Sequence, residues 1–259
     1  MKIKQVLSAL ERFAPLPLQE SWDNAGLQIG LTEAEVSGAL LCLDVTEQVI
    51  DEAVAKGCNL VVSHHPLLFR GLKQVSDAND VQRTVRKAIK HDVCVISMHT
   101  NMDNARGGVN FKMAEKLGAK VLNSACEKDA SEKVSMVLAE LPEAMDARQF
   151  IEHVKRAFSV QCAHGNELLQ RPIRKVAICG GAADFMLDEA IANGADAFIT
   201  GEMHYHTYFG HEQEIQICVI GHYESEQFTS EIFREIIEKE CPGVVCQIAE
   251  TNTNPIKYY

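Results

Sequence analysis

The chain has 259 residues, 46% hydrophobic and 24% charged, enough to bury a full core as one large domain or two small ones. Its formal net charge of −11 excludes a surface that coats nucleic acid, because neutralising phosphates needs clustered Lys and Arg. A small anionic substrate is not excluded, since a bound metal reverses the local field.

The spacing of apolar residues predicts a helix over 3–13, a strand at 38–43, a helix at 46–56 ended by Gly57, and a strand at 59–63. A helix near 80–91, a strand at 93–98 and a helix over 109–117, ended by Gly118, follow. Beyond Ser124 the pattern loosens, with a strand at 133–139 and a helix near 145–157. Next are a strand at 174–179 running into Gly180-Gly181, a helix near 184–193 and a strand at 196–200. A short helix around 203–212, a strand at 215–221, a long helix over 224–240 and a closing strand at 244–249 complete the chain. Such alternation predicts an α/β fold with mainly parallel central sheets flanked by helices.

No run approaches the roughly 18 apolar residues of a membrane span. Met1-Lys2-Ile3-Lys4 meets Glu11-Arg12 too soon for a signal-peptide core, so a soluble, cytoplasmic chain is expected. Nine cysteines contain no Cys-x-x-Cys, and Cys42, Cys94, Cys179 and Cys218 sit inside apolar runs, which reads as free thiols in a reducing compartment.

A diverged internal repeat is also present. Asp51-Glu52-Ala53-Val54-Ala55-Lys56-Gly57-Cys58-Asn59 matches Asp188-Glu189-Ala190-Ile191-Ala192-Asn193-Gly194-Ala195-Asp196 at an offset of 137. Cys94-Val95-Ile96 resembles Cys218-Val219-Ile220 at an offset of 124, each followed by a histidine. This predicts two related α/β halves, 1–125 and 126–259, with a site at their junction.

Three strand runs end in metal-ligand residue types: Ser63-His64-His65-Pro66, His99-Thr100-Asn101-Met102-Asp103 and His222-Tyr223-Glu224-Ser225-Glu226. The carboxyl edge of an open parallel sheet is where ligands bind, and imidazole with carboxylate suits zinc, iron, manganese or cobalt. Adjacent strand residues point to opposite faces, so His64 and His65 serve one site only where the strand ends and the backbone turns, as Pro66 favours. His222 and Glu226, spaced i and i+4, share a helix face. At least three histidines and two carboxylates suffice for two ions with a bridging carboxylate. Gly180-Gly181 between strand and helix suggests a phosphate cradle, though without a Walker lysine or a full G-x-G-x-x-G a tight strand–helix turn explains it equally well.

His-His-Pro-Leu-Leu-Phe, His-Thr-Asn-Met-Asp-Asn-Ala-Arg-Gly-Gly-Val-Asn and Gly-His-Tyr-Glu-Ser-Glu resemble signature blocks of the GTP cyclohydrolase 1 type 2 homologues, also called NIF-three-like or YbgI-type dinuclear-metal proteins. Trp22-Asp23-Asn24-Ala25-Gly26-Leu27-Gln28 and Gly180-Gly181-Ala182-Ala183 look like further blocks, in order along nearly the whole chain. The interval 125–170 is too short for the PII-like insert of some members. Carried over by position, the resemblance implies His64, His65, Asp103, His222 and Glu226 as ligands of two divalent ions, with Glu226 bridging. It implies His99 and Glu202 as nearby site residues, and in a hydrolase His99, or His204 or Glu202, is expected to relay protons. A ring-shaped homohexamer is implied as well. The expected function is a dinuclear metal-dependent hydrolase, GTP cyclohydrolase-like, that acts on a nucleotide-like small molecule through a metal-activated water. The alternative is a non-catalytic metal-binding, metal-delivery or regulatory interaction protein.

Overall fold

The computed structural model describes residues 1–122 and 133–259. In chain order the elements are α1 (Ile3–Phe13), β1 (Gly26–Ile29), β2 (Ala39–Cys42), α2 (Glu47–Ala55), β3 (Leu60–Ser63), α3 (Asp80–Lys90), β4 (Cys94–Ser97), α4 (Thr100–Asp103) and α5 (Val109–Leu117). They continue with β5 (Lys120–Val121), β6 (Val137–Met145), α6 (Ala147–Phe158), β7 (Ile173–Ile178), α7 (Leu187–Ala192), β8 (Ala197–Thr200), β9 (Gln216–Val219), α8 (His222–Glu226), α9 (Thr229–Glu240) and β10 (Cys246–Ile248). Short 3-10 turns occur at Leu16–Leu18, Asp184–Met186 and Tyr205–Tyr208.

The chain divides into two compact units, Met1–Ala105 with Thr229–Tyr259, and Arg106–Phe228. The expected boundary at 125/126 lies outside the described residues. The first unit is discontinuous because β10 returns to pair with β2, its Cys246 opposite Ala39. Its sheet runs β1-β4-β3-β2-β10, parallel throughout except for β1, which lies antiparallel to β4. The second sheet runs β5-β6-β7-β8-β9, with β7, β8 and β9 parallel and β5 and β6 antiparallel. Both are mixed α/β sheets with mainly parallel strands, as the alternation predicts.

Local chemistry explains the helices. α1 buries Ile3, Val6, Ala9 and Leu10 along one face and stops before Pro15. Thr46, Asn79 and Asp146 each accept a backbone N–H in the first turn of α2, α3 and α6. β2, β3, β4, β8 and β9 are buried on both faces, which requires the continuous apolar runs seen in the sequence. In the second unit alternate residues divide between two cores. Val176, Ile199 and Cys218 join Phe150 and Phe158, whereas Ala177, Phe198 and Ile217 join Leu187.

Four departures from expectation have local causes. β1 follows irregular chain, leaves Leu27 exposed and has only four residues, too few for periodicity to announce it. The expected helix over 224–240 is two, α8 and α9. The expected helices near 184–193 and 203–212 shorten to α7 after a 3-10 turn and to a single 3-10 turn. The late half of the repeat is in a different register. Leu60 lies beside Ala39, and Ala197 beside Val176, so the first two strands keep the offset of 137. The helix ends recur too: Cys58 N donates to Ala53 O and Ala195 N to Ala190 O, after Gly57 (φ +70°) and Gly194 (φ +69°). Cys94, however, lies beside Leu60 and Gln216 beside Ala197, an offset of 122. The expected match of Cys94 to Cys218 is thus two residues out, because a shift of two keeps every side chain on its face and leaves apolar runs looking alike.

Among the described residues no helix is long and apolar enough to cross a membrane. The eight described cysteines are free, and Cys42, Cys94, Cys179 and Cys218 are buried.

The closing strand is held by one carboxylate. Glu52 on α2 accepts from the amides of Glu250 (2.8 Å) and Thr251 (2.9 Å), from Thr251 Oγ1 (2.6 Å) and from Lys56 Nζ (2.8 Å). Burial pushes its pKa up, but the hydrogen bonds from Lys56, Thr251 and the two amides outweigh that and hold it at about 2. A depressed carboxylate adds stability that is complete above its unfolded value, near 4.5, and is lost as pH falls toward 2. Urea unfolding of Glu52→Gln should therefore show lower stability at pH 7 and a shallower decline between pH 5 and 2 than the parent chain.

Candidate metal centre

In the first unit the chemistry gathers at the carboxyl ends of β2, β3 and β4. His64 and His65 follow β3, and His99 lies two residues beyond β4. One ring nitrogen from each of these three histidines lies within 4.8 Å of the others, a group that could hold a metal ion. Their ring centroids are 5.0 to 5.4 Å apart.

Each ring is held through Nδ1. His64 Nδ1 donates to the Met98 carbonyl (2.9 Å), His65 Nδ1 to Asp44 (2.7 Å) and His99 Nδ1 to Asp23 (2.7 Å). Such bonds set the tautomer and make Nε2 the ligating atom. The supporting carboxylates are themselves held: Thr253 Oγ1 donates to Asp44 (2.7 Å), and Thr100 donates to Asp23 through its amide (3.0 Å) and its hydroxyl. Burial would raise the Asp23 carboxyl, but bonds from His99 and Thr100 outweigh it and keep it ionised, with a pKa of about 2. Asp103, at the end of α4, sets Oδ1 3.5 Å from His64 Nε2. Trp22 and Phe69 set their rings 6.0 and 6.2 Å from that of His99.

In the second unit His222 and Glu226 share a face of α8, as their spacing predicts, with Nε2 and Oε2 3.2 Å apart. His222 Nδ1 donates to Glu202 Oε1 at 2.7 Å, repeating the arrangement of the other three histidines. Glu226 is almost wholly buried. Space for it comes from Gly181 (φ +64°), where a Cβ would stand 2.5 Å from Glu226 Oε1. Gly201 is equally confined, since a Cβ there would stand 2.7 Å from both Gly181 O and Ser225 Oγ and 2.9 Å from His222 Cα.

These contacts revise two expectations. The amides of Gly180 and Gly181, where a phosphate cradle or a tight turn was expected, donate to Asn110 Oδ1 (2.8 Å) and Ser225 Oγ (3.0 Å). The pair admits Glu226. Glu202 positions His222, a task visible only once β8 and β9 are side by side. His204 is exposed and pairs through Nδ1 with Asp184, which raises its pKa above the ordinary histidine value. The structure adds Asp44 and Asp23 as the groups that hold His65 and His99. Asp44 follows β2 at the same edge as His64 and was open to the same strand-end reasoning, whereas Asp23 arrives from a loop that no periodicity marks.

A family model described as Duf34/NIF3 (NGG1p interacting factor 3) matches residues 1–255. The chain belongs to this family. A relative from Clostridium acetobutylicum, named GTP cyclohydrolase 1 type 2 homolog, is 30% identical over 268 residues, covering 100% of this chain and 99% of its own. Another of that name from Clostridium perfringens is 34% identical over 229 residues, 87% of each chain. The crystal structure of a Staphylococcus aureus hypothetical protein superposes with a TM-score of 0.90 at 27% identity, covering 100% of this chain and 99% of that one.

Two substitutions probe the arrangement without touching a candidate ligand. Asp44→Asn removes the charged acceptor behind His65 and should weaken divalent-metal binding about 10–100-fold, as read by competition with a chromophoric chelator. Gly181→Ala should displace Glu226 and lower bound metal per chain, measured by elemental analysis, while circular dichroism stays native.

Proposed function

We propose that this Duf34/NIF3 protein binds two divalent metal ions through His64, His65, Asp103, His222 and Glu226, and hydrolyses a nucleotide-like small molecule. The observation that carries this reading is the shared treatment of the histidines, each held at Nδ1 by an acceptor and so presenting Nε2. The donor set is imidazole and carboxylate without thiolate, which fits zinc, iron, manganese or cobalt. When bound, such ions polarise a substrate oxygen and lower the pKa of water.

The remaining roles fall to residues of the chain. Asp44, Asp23 and Glu202 hold their histidines in one tautomer and orientation. Glu226 is the bridging carboxylate of this reading, its burial and the space at Gly181 limiting it to one orientation. His99 serves as a nearby base. His204, kept protonated to higher pH by Asp184, serves as a proton donor. A reducing cytosol and assembly as a ring-shaped homohexamer belong to the same reading, supported by the free cysteines and by the family resemblance respectively.

The test is to load purified protein with Zn, Mn, Fe or Co and to screen nucleotides and phosphoesters for product. Turnover should depend on metal, fall at least about a hundredfold in Glu226→Gln and survive in His153→Ala, whose imidazole bonds the Leu117 carbonyl in α5. Two ions per chain are expected by elemental analysis. Stoichiometric metal with no turnover on any substrate class would leave a metal-binding or regulatory protein, and a single ion would remove the dinuclear centre.

A further inference from the structure

β10 pairs in parallel with β2, Ile248 opposite Leu41, and the Ala249 amide donates to the Leu41 carbonyl (2.8 Å). Parallel pairing sends both chains toward the same edge of the sheet, where β2 gives way to Asp44. An antiparallel β10 would deliver the residues after it to the opposite edge. The segment after β10 is fastened beside that edge. Glu52 accepts the amides of Glu250 and Thr251 and the Thr251 hydroxyl, and Glu250 pairs with Lys56 (2.9 Å). Two residues on, Thr253 Oγ1 donates to Asp44 Oδ2 (2.7 Å), while Asp44 Oδ1 accepts from His65 Nδ1 (2.7 Å). Thr253 and Asp44 are 209 positions apart, yet both belong to the first unit.

The carboxylates behind His65 and His99 are held alike but not equally. Each takes a threonine hydroxyl, Asp23 from Thr100 and Asp44 from Thr253. The Asp23 side chain has no exposed surface and also accepts the Thr100 amide, whereas that of Asp44 is 34% exposed. The terminal torsion of a carboxylate is broad and roughly two-fold, so at an exposed site its plane turns unless both oxygens are engaged. Thr253 engages the oxygen that His65 does not. If that plane turns, the acceptor behind Nδ1 moves, and the direction in which Nε2 points moves with it. A residue distant in sequence thus stands in the chain of bonds that aims a candidate ligand.

We propose that Thr253 is a positioning residue for His65, acting through Asp44, and that docking of residues 250–253 and metal binding at His65 stabilise one another. This role rests on the metal reading above and requires no catalysis. By linkage, whatever the docked segment adds to metal affinity, the metal returns to docking of the segment.

The experiment titrates zinc into the metal-free full chain in competition with a chromophoric chelator. Thr253→Val, which keeps the shape and removes the hydroxyl, should weaken zinc binding about tenfold, and Thr253→Ser should keep the parent affinity. Asn79→Ala removes the cap of α3, destabilises the same unit away from the site and should leave zinc affinity unchanged. Hydrogen exchange read by mass spectrometry should show zinc slowing the amides of residues 249–254 in the parent chain and not in Thr253→Val. In metal-free protein, long-range proton–nitrogen spectra should show the His65 ring signals shifted or broadened by Thr253→Val, with those of His99 unmoved. Zinc affinity and His65 signals that Thr253→Val leaves unchanged overturn the proposal. So do a serine variant as weak as the valine one, an equal loss in Asn79→Ala, and exchange that zinc does not slow. The two readings fail differently: a parent chain that binds no zinc removes both, whereas zinc bound equally by parent and Thr253→Val removes the positioning role alone.

Discussion

An imidazole offers a metal one nitrogen at a time, and its aim depends on what holds the other. Here His64, His65, His99 and His222 are all held at Nδ1, by the Met98 carbonyl, Asp44, Asp23 and Glu202. Every one of these acceptors except Asp23 lies just beyond a strand's carboxyl end. The aim of the rings therefore depends on strand register, and a slip of one residue would turn His64 and His65 to the wrong faces. That register sets Leu60 beside Ala39 and Cys94 beside Leu60.

The two sheets use one strand arrangement for different ends. Their first two parallel strands keep the same offset, yet where the first unit has His64-His65 the second has Gly201-Glu202. The second unit's imidazole and carboxylate come from α8 instead, on one helix face. Close packing of that helix over the strand ends is possible because positions 181 and 201 carry no Cβ. Glu202 keeps a share in the site by holding His222.

Most of the secondary structure was legible because it rests on local physics. α1, α2, α3, α5 and α6 have amphipathic spacing with caps or glycine stops, and the interior strands are apolar runs of the length that a doubly covered sheet requires. β1 was not legible: it is short, half-exposed and paired antiparallel only because β4 presents an edge to it. The split between α8 and α9 escaped periodicity, since both segments keep an apolar face. The repeat register failed for a similar reason, as valine- and isoleucine-rich strands resemble themselves at every second residue.

By itself the sequence determined the α/β alternation, the ends of the main helices and the residue types His64, His65, Asp103, His222 and Glu226 as candidate ligands, with His99 nearby. These follow from backbone propensity, apolar period and the coordination chemistry of the side chains, all of which act over a few neighbouring residues. Only the tertiary structure decided that Asp23, Asp44 and Glu202 stand behind the imidazoles, that Gly181 makes room for a carboxylate, and that β10 belongs with β2. Each of those joins residues some 20 to more than 200 positions apart. Such contacts are set by which strands lie side by side, and no local pattern in the chain encodes that distance.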